Sequence, residues 1–278
     1  MTDEWGFLDT GFHDAATNMA LDEALLNWHR EGRIPPTLRF YRWSSPSLSV
    51  GHFQKTEGKI DLQALEAHNG QFVRRLTGGS AVLHDDELTY SIVISEQHPG
   101  IPRSIREAYH VLSRGILEGY KNLGIQATYA IPSGKPDKNE TAVCFEKTAF
   151  YELTVDDKKI SGNAQTRRNG VLLQHGSIPL HINDEMLFDL FIFPSEKIKQ
   201  RKRKEFFQKA STINQLTGRP VPFDEVKTAF RKGFENGLDV TLQPISLTPD
   251  QWEEVYELAS SKYAQPMQTG KIKEGIDG

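Results

Sequence analysis

The sequence is poor in the groups that most often betray a chemistry. It has one cysteine, Cys144, in 278 residues, so neither an intrachain disulfide nor a multi-cysteine zinc pattern can form. A lone thiol fits a reducing compartment, and a cytoplasmic location is expected. Nine histidines are scattered without H-x-x-x-H or H-E-x-x-H spacing, so no metal is expected. Long apolar runs are missing as well. The longest, "MLFDLFIF", falls far short of the roughly 18 residues a membrane span needs, and the acidic opening "MTDEWGFLDT" lacks the basic and apolar regions of a signal peptide. No excess of positive charge favours nucleic acid, because the net charge is -4 and the pI about 6.2.

The residues that are present describe a folded chain. Hydrophobic residues at 37% and charged residues at 25% exclude disorder. The segment "HDAATNMALDEALLNWHREG" carries apolar residues at helical spacing, with Asp14 or Thr17 as cap and Gly32 as stop. Short extended pieces follow: "TLRFYRW", "SLSVGHF", "QFVRRL", "SAVLH" and "LTYSIVIS". A helix opening at Ser104 and Glu107 comes next. Two hairpins are then predicted, turning at Asp156-Asp157 and at Asn169-Gly170. From Asp184 the pattern turns helical. Strands and helices mix without regular βαβ alternation, which predicts an α+β fold, a mixed sheet flanked by helices. One domain is expected over 1–265, mainly helical over 184–265, with a flexible tail at 266–278.

Four features carry possible chemistry, each with a plainer alternative. "RRLTGGSAVLHD" fits neither a Walker nor a Rossmann template, since a strand follows its glycines. It is either an ordinary hairpin with surface arginines or a loop offering bare N–H groups to an oxygen. Cys144 is either a small core residue or a nucleophile whose pKa is lowered by Lys159, brought back beside it by the hairpin. His84 and His175 fall at strand ends, as pocket residues or as hydrogen-bonded structural ones. "KIKQRKRK" at 197–204 is either a solvated helix face or a docking surface for an acidic protein.

Several of these segments occur together and in a familiar order. "NMALDEALL", "SLSVGHFQ", "RRLTGGSAVLHDDELTYS", "KKISGNAQTR" and "LLQHGSI" resemble the lipoate and octanoate transferases and ligases over about residues 15–265. Within that family the stretch "AVCFEKTAFYELTVDDKKISGNAQTRRNGVLLQHGS" is most similar to octanoyltransferases. The resemblance implies the mixed fold shared with biotin protein ligases and a slot for a medium-chain acyl group. By it, Gly78 and Gly79 allow backbone contact, Arg75 reaches the acyl head, and His84, Gly162, His175 and Gly176 lie on pocket walls.

The implied reaction has two steps. The Cys144 thiolate attacks octanoyl-acyl carrier protein, and a lysine of a lipoyl-domain protein, such as glycine cleavage H protein, then takes the octanoyl group as an amide. Lys159 would assist Cys144, and no cofactor or ATP is implied, with a monomer as the expected state. The nearest rivals are an ATP-dependent lipoate–protein ligase and an amidotransferase working between lipoyl-type proteins. A non-catalytic acyl-carrier-binding protein is the rival of another class. One departure stands out. The other octanoyltransferase branch carries its cysteine after the His-Gly pair, whereas here "SIPL" follows His175-Gly176.

Overall fold

Apolar strands separated by polar turns pair into a mixed six-stranded sheet in the computed structural model, which describes residues 3–130 and 152–264. Its strands are β1 (Asp3–His13), β2 (Thr37–Trp43), β6 (Glu87–Ser95), β10 (Gly162–Arg168), β11 (Val171–Pro179) and β12 (Val240–Pro244). Their order is β10-β11-β6-β2-β1-β12. The successive pairs β10–β11, β11–β6 and β6–β2 are antiparallel, while β1 is parallel to both β2 and β12. A smaller sheet in the order β4-β3-β5 holds β3 (Ser47–Val50), β4 (Gln71–Arg74) and β5 (Val82–His84). A third contains β7 (Thr128–Tyr129), β8 (Leu153–Val155) and β9 (Lys158–Lys159).

The expected α+β architecture is therefore the observed one. The five early extended segments are strands, and both hairpins turn where the sequence placed them. Asp156, Asp157 and Asn169 take φ of 49°, 61° and 51°, the left-handed backbone that such short polar residues tolerate. Three strands were not legible: the two-residue β7 and two longer ones. β1 precedes the first helix, and β12 interrupts the region expected to be helical from Asp184 onward. The glycine segment also differs from a hairpin. β4 and β5 do not pair with each other but flank β3, so residues 75–81 cross over its end.

Helices cover both faces of the main sheet. On one side lie α3 (Ile105–Asn122) and α7 (Phe223–Leu238), whose apolar faces join Leu38, Phe40, Tyr90 and Ile92 in one core. On the other, α1 (Ala15–Arg30) and α8 (Pro249–Leu258) pack with Tyr41, Trp43, Val93 and Leu173. Asp14 caps α1, accepting from the Thr17 amide at 2.6 Å. A third core joins the small sheet to α2 (Leu62–Ala67), α4 (Asp184–Asp189) and α5 (Glu196–Lys209). Among the described residues no helix is long and apolar enough to cross a membrane.

α3 and α7 approach closely through glycine. A Cβ added at Gly233 would lie 2.3 Å from the Gly119 amide nitrogen and 2.5 Å from its Cα. These are backbone atoms, which cannot swing aside, so the helices would have to separate. Gly233→Ala is expected to lower unfolding free energy by ~1–3 kcal/mol, the range for overpacking a tight core. Urea denaturation measures it, and an unchanged midpoint would contradict the close crossing.

Candidate active site

A cleft of about 440 Å³, counting its mouth, opens between the main and small sheets. Met19, Tyr41, Trp43, Val82 and Ala164 give it apolar walls, and Ser49, Arg75, His84, Thr89 and His175 bring polar groups to the same space. Of the residues singled out in the sequence, Arg75, Gly79, His84, Gly162, His175 and Gly176 line the cleft. Gly78 and Lys159 are not among its described lining residues. Cys144 lies outside the described residues, as does the tail at 266–278.

The two adjacent arginines part company at the end of β4. Arg74 is exposed, and its Nη1 donates to the carbonyls of Gly51 at 2.7 Å and Gln54 at 2.9 Å. Arg75 is 5% exposed, and all five of its N–H groups have acceptors in the protein. Nε donates to Thr77 Oγ1 at 3.2 Å, and Nη1 to Ser49 O at 3.2 Å and Ser49 Oγ at 3.1 Å. Nη2 donates to the carbonyls of Gly78 and Ser80, both at 2.8 Å. The crossover loop is thus wrapped around a guanidinium. Gly79 makes this possible, because its φ is +96° and a Cβ there would lie 2.9 Å from Arg75 Nη2. The resemblance implied that Arg75 reaches the acyl head. Here its donors hold the loop, while the side chain borders the cleft.

Two hydroxyl–imidazole–carboxylate sets extend from Arg75. In the first, Ser49 Oγ lies 2.7 Å from His84 Nε2, and His84 Nδ1 lies 2.8 Å from Glu87 Oε1. Glu87 also accepts from Thr89 Oγ1 and, at 2.6 Å, from Ser177 Oγ. Trp43 stacks on His84 with ring centroids 4.1 Å apart and donates through Nε1 to Thr89 Oγ1 at 2.8 Å. In the second set, Thr77 Oγ1 lies 2.6 Å from His175 Nε2, and His175 Nδ1 lies 2.9 Å from Asp22 Oδ2. Asp22 is also bound by Arg39 at 2.9 Å and by the Tyr41 hydroxyl at 3.2 Å.

Burial and charge set the protonation of these groups. Burial pushes His175 below its ordinary value of 6.5, outweighing the opposing pull of Asp22. Burial alone would raise Asp22 and Glu87, but their partners win. His175 and Arg39 hold Asp22 low, while His84, Ser177 and Thr89 hold Glu87 low. Both acids are buried carboxylates that accept hydrogen bonds.

Lys159 ends the short strand β9, three residues before Gly162. Its side chain is buried, with Nζ 2.5 Å from Glu152 Oε1. Its main chain bridges to Ala210 at the end of α5, and its carbonyl accepts from the Ser211 amide at 3.0 Å. The basic run lies on that same helix. Lys199 pairs inward with Asp189 at 2.6 Å and Arg203 with Asp184 at 2.5 Å. Lys197, Arg201 and Lys204 recur at i, i+4 and i+7 and are exposed.

A buried polar network shares an apolar cleft on a mixed sheet covered by helices. Residues 14–235 match the lipoyl protein ligase A/B catalytic domain family, and the chain belongs to that family. The octanoyltransferase LipM of Oceanobacillus iheyensis is 57% identical over 266 residues, covering 95% of this chain and 96% of the relative. That of Bacillus subtilis is 48% identical, covering 94% and 95%. Among solved structures, a bipartite lipoate protein ligase from Thermoplasma acidophilum superposes with a TM-score of 0.77 at 25% identity, covering 94% of this chain and 93% of its own. A lipoate-protein ligase A bound with ATP gives 0.74 at 25% identity, covering 96% and 97%.

Sequence reading missed the partners that hold these residues. Asp22 was detectable in principle, as an acid on the buried stripe of α1 that also carries Met19 and Leu26. Glu87 starts a strand whose other residues through Ile94 are also buried, another acid in an apolar run. Ser49 and Glu152 carried no signal of their own.

Because His175 is driven toward its neutral form only in the folded protein, the unfolded chain takes up that proton first on acidification. Its contribution is therefore lost as pH falls below about 6.5. The melting temperature of His175→Gln should depend less steeply on pH than wild type just below that value. Equal slopes would contradict the buried neutral imidazole.

Proposed function

We propose that this chain is an octanoyltransferase that works in two covalent steps on the route to protein lipoylation. The observation that carries this reading is the 48–57% identity to the LipM octanoyltransferases named above, over nearly the whole of both chains. The ligases, at 25% identity, share the fold. An ATP-dependent ligase is accordingly the less favoured reading.

In the first step the Cys144 thiolate attacks the thioester carbonyl of octanoyl-acyl carrier protein, and the carrier's thiol leaves. In the second, a lysine of a lipoyl-domain protein, such as glycine cleavage H protein, attacks the enzyme thioester and departs as the octanoyl amide. Exchange of thioester for amide runs downhill, so ATP is not needed. Splitting the transfer replaces one difficult encounter of two proteins with two simpler ones. The cleft suits the acyl chain, with apolar walls for its methylenes and the Arg75 loop at the polar rim. The Lys159 ammonium, ion-paired to Glu152, is the group assigned to favour the Cys144 thiolate. The exposed stripe Lys197, Arg201 and Lys204 suits an acidic donor or acceptor protein, and its helix ends against the Lys159 strand.

Mixing the full chain with octanoyl-acyl carrier protein, without ATP, should add the mass of one octanoyl group. Cys144→Ala should gain none. Product formed only when octanoate and ATP are supplied, with no adduct on the wild-type chain, would transfer the assignment to a ligase.

A further inference from the structure

The two hydroxyl–imidazole–carboxylate sets look alike but differ in charge. Asp22 has two basic partners, Arg39 at 2.9 Å and His175 at 2.9 Å. Arg39 is a permanent cation at 0% side-chain exposure, so the Asp22 charge is matched whether or not His175 takes a proton. Glu87 has no such arrangement. Among the described residues the one basic group in ion-pair contact with it is His84, at 2.8 Å, its other contacts being the hydroxyls of Thr89 and Ser177. A proton arriving on His84 would complete a buried ion pair, whereas one arriving on His175 would add a charge beside a pair already balanced.

Access to the cleft separates the sets again. Ser49 and His84 both line it, while Thr77, the hydroxyl bound to His175, is not among the described lining residues. Arg75 Nη1 donates to Ser49 Oγ, which stabilises oxygen as its own proton moves off.

From these differences we propose that Ser49 and His84, oriented by Glu87, form the proton-accepting relay for the incoming acceptor amine, and that the Thr77–His175–Asp22 set serves as fixed structure. The proposal rests on the two-step reading above. A lysine side chain reaches the site as an ammonium, with an ordinary pKa of about 10.4, and has no lone pair for attack. One N–H bond of the ammonium breaks and its proton passes to Ser49 Oγ, while the Ser49 proton passes to His84 Nε2. The freed nitrogen lone pair forms the C–N bond to the thioester carbonyl carbon. The tetrahedral adduct collapses, the C–S bond breaks, and a second nitrogen proton goes to the departing sulfur. The products are the amide, the enzyme thiol and a His84 imidazolium paired with Glu87, which returns its proton to water. Glu87 acts as a positioning residue that holds His84 Nδ1 and aims Nε2 at Ser49 Oγ.

The test compares two nucleophiles on the isolated octanoyl-enzyme. A lipoyl-domain protein presents a lysine that must lose a proton, while hydroxylamine is already a free base at neutral pH. In Glu87→Gln, which keeps an oxygen for His84 Nδ1 but removes the charge, the ratio of the lysine rate to the hydroxylamine rate should fall tenfold or more. A tenfold fall is smaller than the ~10²–10⁴-fold that a general base typically contributes, as a base weakened but not removed requires. Ser49→Ala should lower the same ratio and decides the matter alone if Glu87→Gln does not fold. Equal slowing with both nucleophiles, or an unchanged ratio, would overturn the relay. Failure of the wild-type chain to form any octanoyl-enzyme would instead remove the two-step reading.

Discussion

The buried guanidinium of Arg75 is the interaction on which the site depends. Removing a cation from water is costly unless it is matched by charge and hydrogen bonds, and here five N–H groups find acceptors on Ser49, Thr77, Gly78 and Ser80. Those acceptors come from the end of β3 and from the crossover loop. The loop is therefore fixed from within by a side chain its own sequence supplies. The planar fork of arginine suits this role, whereas a lysine would present three donors at a single point. From Arg75 the charges alternate outward, with Glu87 behind His84 on one side and Asp22 behind His175 on the other, and Arg39 closing the second arm.

The same arrangement separates the tasks of the cleft. Its apolar walls come from helix α1 and from β2, β5 and β10, strands of two different sheets. Its polar rim comes from one loop and two histidines. Met19, Trp43 and Val82 thus share the cleft with hydrogen-bonding groups, a division common in small-molecule sites. Lys159 belongs to a third small sheet and is held by Glu152 and by the end of α5.

How much of this was legible in the sequence follows from the range of the interactions involved. β2 through β6 could be read because their apolar runs are bounded by turn residues. The two hairpins could be read because Asp-Asp and Asn-Gly tolerate the left-handed backbone their turns use. β1 and β12 could not, since both depend on long-range parallel pairing: β12 with β1 from the opposite end of the chain, and β1 with β2 across the first helix. The glycine loop was recognisable as a motif, but not as a crossover, because that depends on β3 lying between β4 and β5. Likewise His84 and His175 were recognisable as candidates, while the difference between them lies in Arg39, whose approach to Asp22 joins β2 to α1. Local pattern revealed which residues matter. Long-range packing decided what each one does.

The central claim, that Arg75 sets the direction of every hydrogen bond around it, has a direct spectroscopic test. Arg75 donates to both hydroxyls, so Ser49 and Thr77 direct their protons to Nε2 of His84 and His175, and each neutral imidazole carries its proton on Nδ1, facing a carboxylate. Long-range ¹H–¹⁵N correlation spectra of the neutral histidines distinguish the two tautomers. The expected result is an unprotonated Nε2 and a protonated Nδ1 at both His84 and His175. A proton on Nε2 of either neutral ring would contradict the account, because one of the hydroxyls would then have to point away from the network Arg75 is claimed to order.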